Sequence, residues 1–221
     1  MTVTEFAFVH LLGSLSPDTL QALEEAQCIQ DGWARKQDTQ LPDSRVARGT
    51  GMLQQTEDPS VLLVTARWAT PAAHWEWIGT EENKQAMGKL MPLIVTEGKD
   101  QVVLFHVDSV LFPPPGDGVT SALASPVLSI YHYYVNSSEK SKFEAKLREV
   151  MGKHEAGSDM PFRWGWRIEK EEDDVEELLM VRGWDDEEQR QAFIASNDHR
   201  TVEELSADAL DATVHSYKRI I

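Results

Sequence analysis

The chain has 221 residues, 41 % of them hydrophobic, with seven Trp and seven Phe, which is a globular composition with room for one large domain or two thin-cored halves. Its net charge of −16 repels phosphate backbones and anionic lipid, which argues against nucleic-acid and membrane-surface partners.

The opening MTVTEFAFVHLLG has no basic n-region, and its apolar run is too short for a signal peptide or a membrane span, so a cytosolic protein is expected. Within it, EFAFVHLL is rich in aromatic and β-branched residues and predicts a strand. Ser16-Pro17-Asp18 then predicts a helix start, with a cap and Pro at the first helical position. Cys28 falls on this helix and is expected to be a small buried apolar residue. As the only cysteine it forms no intrachain disulfide, which suits a reducing compartment. VARGTGMLQQ reads as a second strand, TEDPS as a turn and VLLVTARW as a third strand. A second helix starts near Pro71, and QVVLFHVDSV is the fourth strand.

Residues 112–126, FPPPGDGVTSALASP, supply proline and glycine and read as a linker. The same series then repeats. VLSIYHYYV is a strand, and Ser137 or Ser138 caps a helix with the stripe Phe143, Leu147, Val150 and Met151. FRWGWRIEK is a strand on which Trp164, Trp166 and Ile168 share one face. The acidic run EKEEDDVEE, residues 169–177, is expected to be a solvated turn. ELLMVRGW, a helix near Asp185-Asp186 and TVHSYKRII complete the chain.

The repetition has a register. An offset of 184 − 68 = 116 sets Trp68 on Trp184, Trp77 on Phe193 and Gly49 on Gly165. Upstream an offset of 122 sets His10 on His132, and downstream 109 sets His106 on His215. Loop insertions produce such drift. The order is βαββαβ twice, an α+β class of two ferredoxin-like plaits, residues 1–111 and 127–221, packed sheet to sheet. Such a chain is its own dimer, while homo-oligomers through the helix faces stay open.

A Trp closing the third strand, then a helix that halts at a small-polar-acidic step (GTEEN, ASNDH), resembles the dimeric α/β-barrel superfamily, nearest to antibiotic-biosynthesis-monooxygenase-like domains as a fused tandem. The resemblance spans nearly the whole chain apart from the linker. It implies a range that includes cofactor-independent oxygenases of polyketide phenols, polyketide cyclases, heme degraders, muconolactone-type isomerases and proteins of no known activity. The heme-degrading relatives carry an Asn on the first strand and an axial His well along the second helix. Here stand Ala7 and Phe8, with His74 six positions after Trp68 and Ile78 a turn further on, so no heme is expected. No metal-ligand spacing, nucleotide loop or nucleophile motif occurs either, so no cofactor and no metal are expected.

In such plaits the fourth strand lies beside the first. His10 with His106, and His132 with His215, are therefore expected as neighbours, each pair supplying a general base for a phenolic or enolic proton. A histidine satisfied within the core is the competing reading. Trp68 and Trp184 match the pocket Trp of the resembling domains and, with Trp75, Tyr131 and Tyr133, are candidates to line a planar aromatic ligand. Trp77, Trp164 and Trp166 read as packing residues. Two functions follow: a cofactor-independent monooxygenase, cyclase or isomerase acting on a phenolic or polyketide-like molecule, or a non-catalytic small-molecule-binding or stress-associated protein.

Overall fold

The computed structural model describes residues 1–98, 101–116, 120–154 and 160–221; residues 117–119 of the expected linker lie outside them. The first half runs β1 (Val3–His10), α1 (Pro17–Gln37), α2 (Arg45–Arg48), β2 (Gly51–Gln55), β3 (Val61–Trp68), α3 (Pro71–Ile78), α4 (Glu81–Leu90) and β4 (Val103–Val107). The second runs β5 (Val127–Asn136), α5 (Lys140–His154), β6 (Arg163–Trp166), β7 (Val175–Trp184), α6 (Glu187–Ile194), α7 (Asn197–Glu203) and β8 (Asp211–Arg219).

Local chemistry explains the boundaries. Ser16 Oγ accepts from the Thr19 backbone N–H at 3.1 Å and Pro17 opens α1. Arg45–Arg48 is a short helix rather than the start of a strand, because Ser44 caps it and Gly49 ends it at φ 71°. The cap ahead of α5 is Asn136, whose Oδ1 accepts from the Ser138 N–H at 3.0 Å, rather than either serine. The steps GTEEN and ASNDH do not stop a helix for good. Thr80 and Ser196 each cap a further helix, accepting from Asn83 N–H at 3.0 Å and His199 N–H at 3.2 Å. Cys28 is exposed on α1, contrary to expectation, while Leu23, Ala26 and Gln27 take the buried face.

The strands form one eight-stranded antiparallel sheet in the order β4-β1-β3-β2-β8-β5-β7-β6. Each half is a plait with its first strand between the third and the fourth. The two sheet faces meet as expected, and their edges also join. At one seam Leu53, Gln54 and Gln55 pair with Arg219, Lys218 and Tyr217. At the other, Val107 bridges Arg167, Asp108 N–H donates to the Trp166 carbonyl at 2.9 Å and Ile168 N–H to the His106 carbonyl at 2.8 Å. The sheet thus curls into a near-closed barrel.

Both faces of most strands are covered, which is why β1 and β7 read as almost continuous apolar runs. Alternate residues fill the barrel: Phe6, Leu63, Phe105 and Val107 from the first half, Leu128, Ile130, Leu179 and Tyr217 from the second. Phe112 and Leu123, from the expected linker, are buried in the same interior, so these two residues belong to the core. Each such side chain contributes roughly 1.5–3 kcal/mol. A seam hydrogen bond nets about 1 kcal/mol. The shared interior therefore holds the halves together, and the seams fix their register.

The strand pairing also corrects the repeat. Val3 pairs with Trp68 and Val127 with Trp184, so the first strands match at 127 − 3 = 124, not 122. Leu53 and Gly165 face Leu63 and Leu179, so Gly165 matches Leu53 rather than Gly49.

Gly165 sits where the second seam closes. A Cβ there would lie 2.6 Å from Val107 Cγ1 and 2.7 Å from Ser109 Cβ. Gly165→Ala is expected to lower the unfolding free energy by ~1–3 kcal/mol through this overpacking. Gly88→Ala, in open space on α4, is expected to raise it by up to ~1 kcal/mol. Denaturant unfolding of the two variants checks both signs.

Candidate functional site

The tryptophan that ends β3 must bury its ring beneath α3 and still place its indole N–H. Trp68 Nε1–H donates to Glu5 Oε2 at 2.6 Å, and in the second half Trp184 Nε1–H donates to Ser129 Oγ at 2.9 Å. Strand pairing makes Glu5 the counterpart of Ser129, Ala7 of Tyr131 and Val9 of Tyr133. The same position thus carries a buried carboxyl in one half and a hydroxyl in the other.

Thr70 caps α3 and Pro71 opens it, so the first turn brings His74 back over Trp68. The two rings stack at 4.5 Å and 12°. His74 is buried, with Nε2 3.5 Å from Glu5 Oε2 and Nδ1 2.8 Å from His106 Nε2. His106 lies directly across from Glu5 in the β1–β4 pairing. Its Nδ1 is 2.7 Å from Glu169 Oε1, and its backbone N–H donates to Glu169 Oε2 at 2.7 Å. Trp75, half exposed at 51 %, lies parallel to His74 with ring centroids 5.9 Å apart and edge-on to His106 at 6.1 Å.

Glu5 and His74 also stand on the wall of a cavity of about 230 Å³ between the sheet and α1, α3 and α4. The rest of that wall is mostly apolar, including Ala7, Val9, Leu23, Val64, Ile78 and Met87. Gln27 from α1 lines it too. Its Nε2–H₂ donates to Gln30 and Asp31, while its buried Oε1 has no partner among the described residues. Burial pushes the Glu5 carboxyl up to about 7, partly opposed by the indole hydrogen bond. Burial, with His106 beside it, pulls His74 down to about 3.

The second half is filled where the first is hollow. Tyr131 and Tyr133 occupy the positions of Ala7 and Val9 and pack with Phe143, Phe162 and Trp166. A cavity of about 130 Å³ remains beside them. Burial pushes the Tyr131 phenol up to about 12 and that of Tyr133 higher, so both are neutral filling. A larger cleft, about 410 Å³, opens at the β4–β6 seam among Asp108, Glu144, Arg148 and Arg163. Its charged, open lining suits a small apolar molecule less than the first-half cavity does.

The expected histidine pairs do not form. His10 points into the barrel with Phe6 and Phe8, whereas His106 points to the helix side, so β1 and β4 hold them on opposite faces. His10 Nδ1 is buried without a partner among the described residues. His132 and His215 both face the barrel interior, but their strands place them opposite Thr213 and Ile130. His132 Nδ1 meets Glu177 Oε1 at 2.7 Å and His215 Nδ1 meets Gln55 Nε2 at 2.8 Å. Of the aromatic candidates, Trp68 and Trp75 flank the imidazole of His74, while Trp184, Tyr131 and Tyr133 are packed in the second half. Glu5, Gln27, His74 and Glu169 were not expected. An acidic residue in phase with Ala7 and Val9 on an apolar strand was the signal for the first of them.

No protein-family model matches the chain, and no curated protein matches it in sequence. Solved structures do. A candidate monooxygenase from Lactobacillus acidophilus NCFM superposes with a TM-score of 0.62 at 10 % identity, covering 100 % of this chain and 94 % of its own. An anthrone oxidase-like protein gives 0.57 at 11 % identity, covering 99 % and 91 %. A protein described as heme-binding, from Thermus thermophilus, gives 0.54 at 11 % identity, covering 99 % and 92 %. The first-half cavity does not suit heme: His74, the imidazole on its wall, has Nδ1 on His106 at 2.8 Å and Nε2 3.5 Å from the Glu5 carboxyl, so an axial bond would displace one of these contacts. Full-length agreement at such low identity establishes the fold: the chain is two ferredoxin-like plaits fused in one polypeptide as a dimeric α/β barrel.

Proposed function

We propose that the first half binds a small, uncharged phenol or enol in its helix-side cavity and that Glu5 removes a proton from it. The observation that carries this reading is a buried carboxyl, half-ionised near neutral pH, on the wall of an apolar cavity that also presents the unpartnered Gln27 Oε1. A base works best when its pKa lies near the working pH, and a buried acceptor without a partner favours a ligand that donates to it. The volume of about 230 Å³ suits one or two rings rather than an extended polyketide. In the step itself the ligand O–H or acidic C–H bond breaks, its electron pair stays on the ligand, and a Glu5 O–H bond forms. The anion is then set up for oxidation, cyclisation or isomerisation.

The catalytic role expected of His106 thus moves two residues inward, to Glu5. His106 stands behind His74, which stands behind Glu5. His10, His132 and His215 lie outside this cavity. The names of the structural neighbours, a candidate monooxygenase and an anthrone oxidase-like protein, agree with chemistry of this kind. The partner in this reading is a small aromatic molecule, and no cofactor takes part.

Turnover of a panel of phenols, naphthols and anthrone under oxygen tests the assignment. Glu5→Gln is expected to reduce kcat by about 10²–10⁴-fold, the usual worth of a positioned general base. His10→Ala is expected to leave kcat unchanged. Equal activity in Glu5→Gln removes Glu5 from the chemistry, and saturable binding without turnover by the native chain makes this a binding protein.

The same carboxyl leaves a mark on stability. With a pKa near 7 folded and 4.5 unfolded, Glu5 keeps a proton in the native state that the unfolded chain has already released. Stability therefore falls as pH rises from 4.5 through 7. His74 acts oppositely: near 3 folded and 6.5 unfolded, it lowers stability as pH falls from 6.5 towards 3. Glu5→Gln deletes only the first effect. Between pH 5 and pH 8 the variant is expected to gain ~2–3 kcal/mol relative to the native chain, at 1.36 kcal/mol per pKa unit. Urea unfolding at the two pH values reads this difference, and a constant gap between the proteins contradicts it.

A further inference from the structure

The contacts behind Glu5 do not end at His74. They run from the buried carboxyl through two imidazoles to Glu169, a carboxylate 34 % exposed that belongs to the other half of the chain. The seam between β4 and β6 brings it there. The Ile168 N–H bond to the His106 carbonyl sets the next residue over the His106 ring, and Glu169 then takes both the backbone N–H and Nδ1 of His106.

We propose that Glu169 is the outer end of a proton relay that connects Glu5 to solvent through His74 and His106. This deepens the reading of Glu5 as the base, since a buried base that has taken a proton must release it before the next turnover.

Hydrogen bonding gives the chain one polarity at a time. With Glu169 as carboxylate, His106 donates Nδ1–H to it and offers the Nε2 lone pair to His74. His74 then donates from Nδ1 and presents its Nε2 lone pair to Glu5, which is protonated. Transfer breaks the Glu5 O–H bond and forms His74 Nε2–H. It breaks His74 Nδ1–H and forms His106 Nε2–H, and it breaks His106 Nδ1–H and forms Glu169 O–H. One proton has left, both imidazoles have changed tautomer, and the negative charge stands on Glu5. The 3.5 Å gap between His74 and Glu5 is the longest link and must shorten in the transfer.

The surroundings favour this path. Trp68 and Trp75 flank His74, and Gln27 and Gln30 are the polar groups that α1 brings to the cavity. Near Glu169, Arg167 is paired with Glu171 and Glu177, Lys170 is paired with Glu176, and Asp108 accepts from the Trp166 N–H. Among the described residues Glu169 has no ion pair besides His106. Glu169 is a positioning residue, acting through His106 on groups that it does not touch.

The test uses the full chain without ligand, so it stands apart from the identity of any substrate. Nitrogen-15 NMR of labelled histidine reports which ring nitrogen carries hydrogen. In the native chain, with Glu5 protonated and Glu169 ionised, His74 and His106 are expected to share the Nδ1–H tautomer. Glu169→Gln offers an amide N–H to His106 Nδ1 and is expected to shift the tautomer ratio of both rings by about tenfold or more towards Nε2–H, since hydrogen bonds to charged groups are worth that much. Glu169→Asp, which keeps the carboxylate, is expected to retain the native tautomers and serves if the amide variant does not fold. Should His74 keep its tautomer when that of His106 inverts, or should Glu169→Gln leave both rings unchanged, the relay is overturned. A relay that responds as expected in a chain that turns over no phenol removes the proposed substrate and leaves the relay standing.

Discussion

A four-stranded plait with helices on one side leaves the other face of its sheet bare, and the rest of this protein follows from how that face is covered. Here the second copy covers the first. Phe6, Phe105 and Leu63 meet Leu128, Ile130 and Tyr217 in a common interior, and the junction adds Phe112 and Leu123. With apolar contacts buried on that face, each half keeps its helix side free to specialise. Fusion in one chain makes the specialisation unequal, because a substitution in one half is not forced on the other.

The inequality is concrete. Where the first half has Ala7 and Val9, the second has Tyr131 and Tyr133, and the ring volume fills the space that the small side chains leave open. Where the first half answers the closing tryptophan with the carboxyl of Glu5, the second uses the hydroxyl of Ser129. His106 is opposite Glu5, whereas Ser216 is opposite Ser129. The second half still serves the first, since Glu169 reaches across the seam to hold His106. The hollow and filled halves are thus one unit, and the seam that closes the barrel also sets Glu169 against His106.

Much of the fold was legible. Aromatic and β-branched runs marked strands, Ser16-Pro17 marked a helix start, and the repeated Trp fixed 116 as the offset of the third strands. The first strands went astray by two residues because His10 was matched to His132 by identity. Pairing opposite Trp68 and Trp184 sets that register, and pairing is a tertiary fact. The site was less legible for the same reason. Alternation places His10 and His106 on opposite faces once β1 and β4 are paired, so histidine content alone pointed to the wrong neighbours. Glu169 was hidden inside an acidic run with the composition of a solvated turn. Nothing local distinguishes it from Glu171 or Glu172; only barrel closure puts it against His106.

The central claim, that one half is hollow for a ligand and the other is filled, is tested most directly by methyl NMR of the methionines during titration with 1-naphthol. Met52 and Met87 line the first cavity, while Met151 and Met180 lie in the packed second half. Saturable shifts of Met52 and Met87 with Met151 and Met180 unmoved, lost in Ala7→Phe, are the predicted result. Shifts at Met151 and Met180, or a response that survives Ala7→Phe unchanged, would contradict the account.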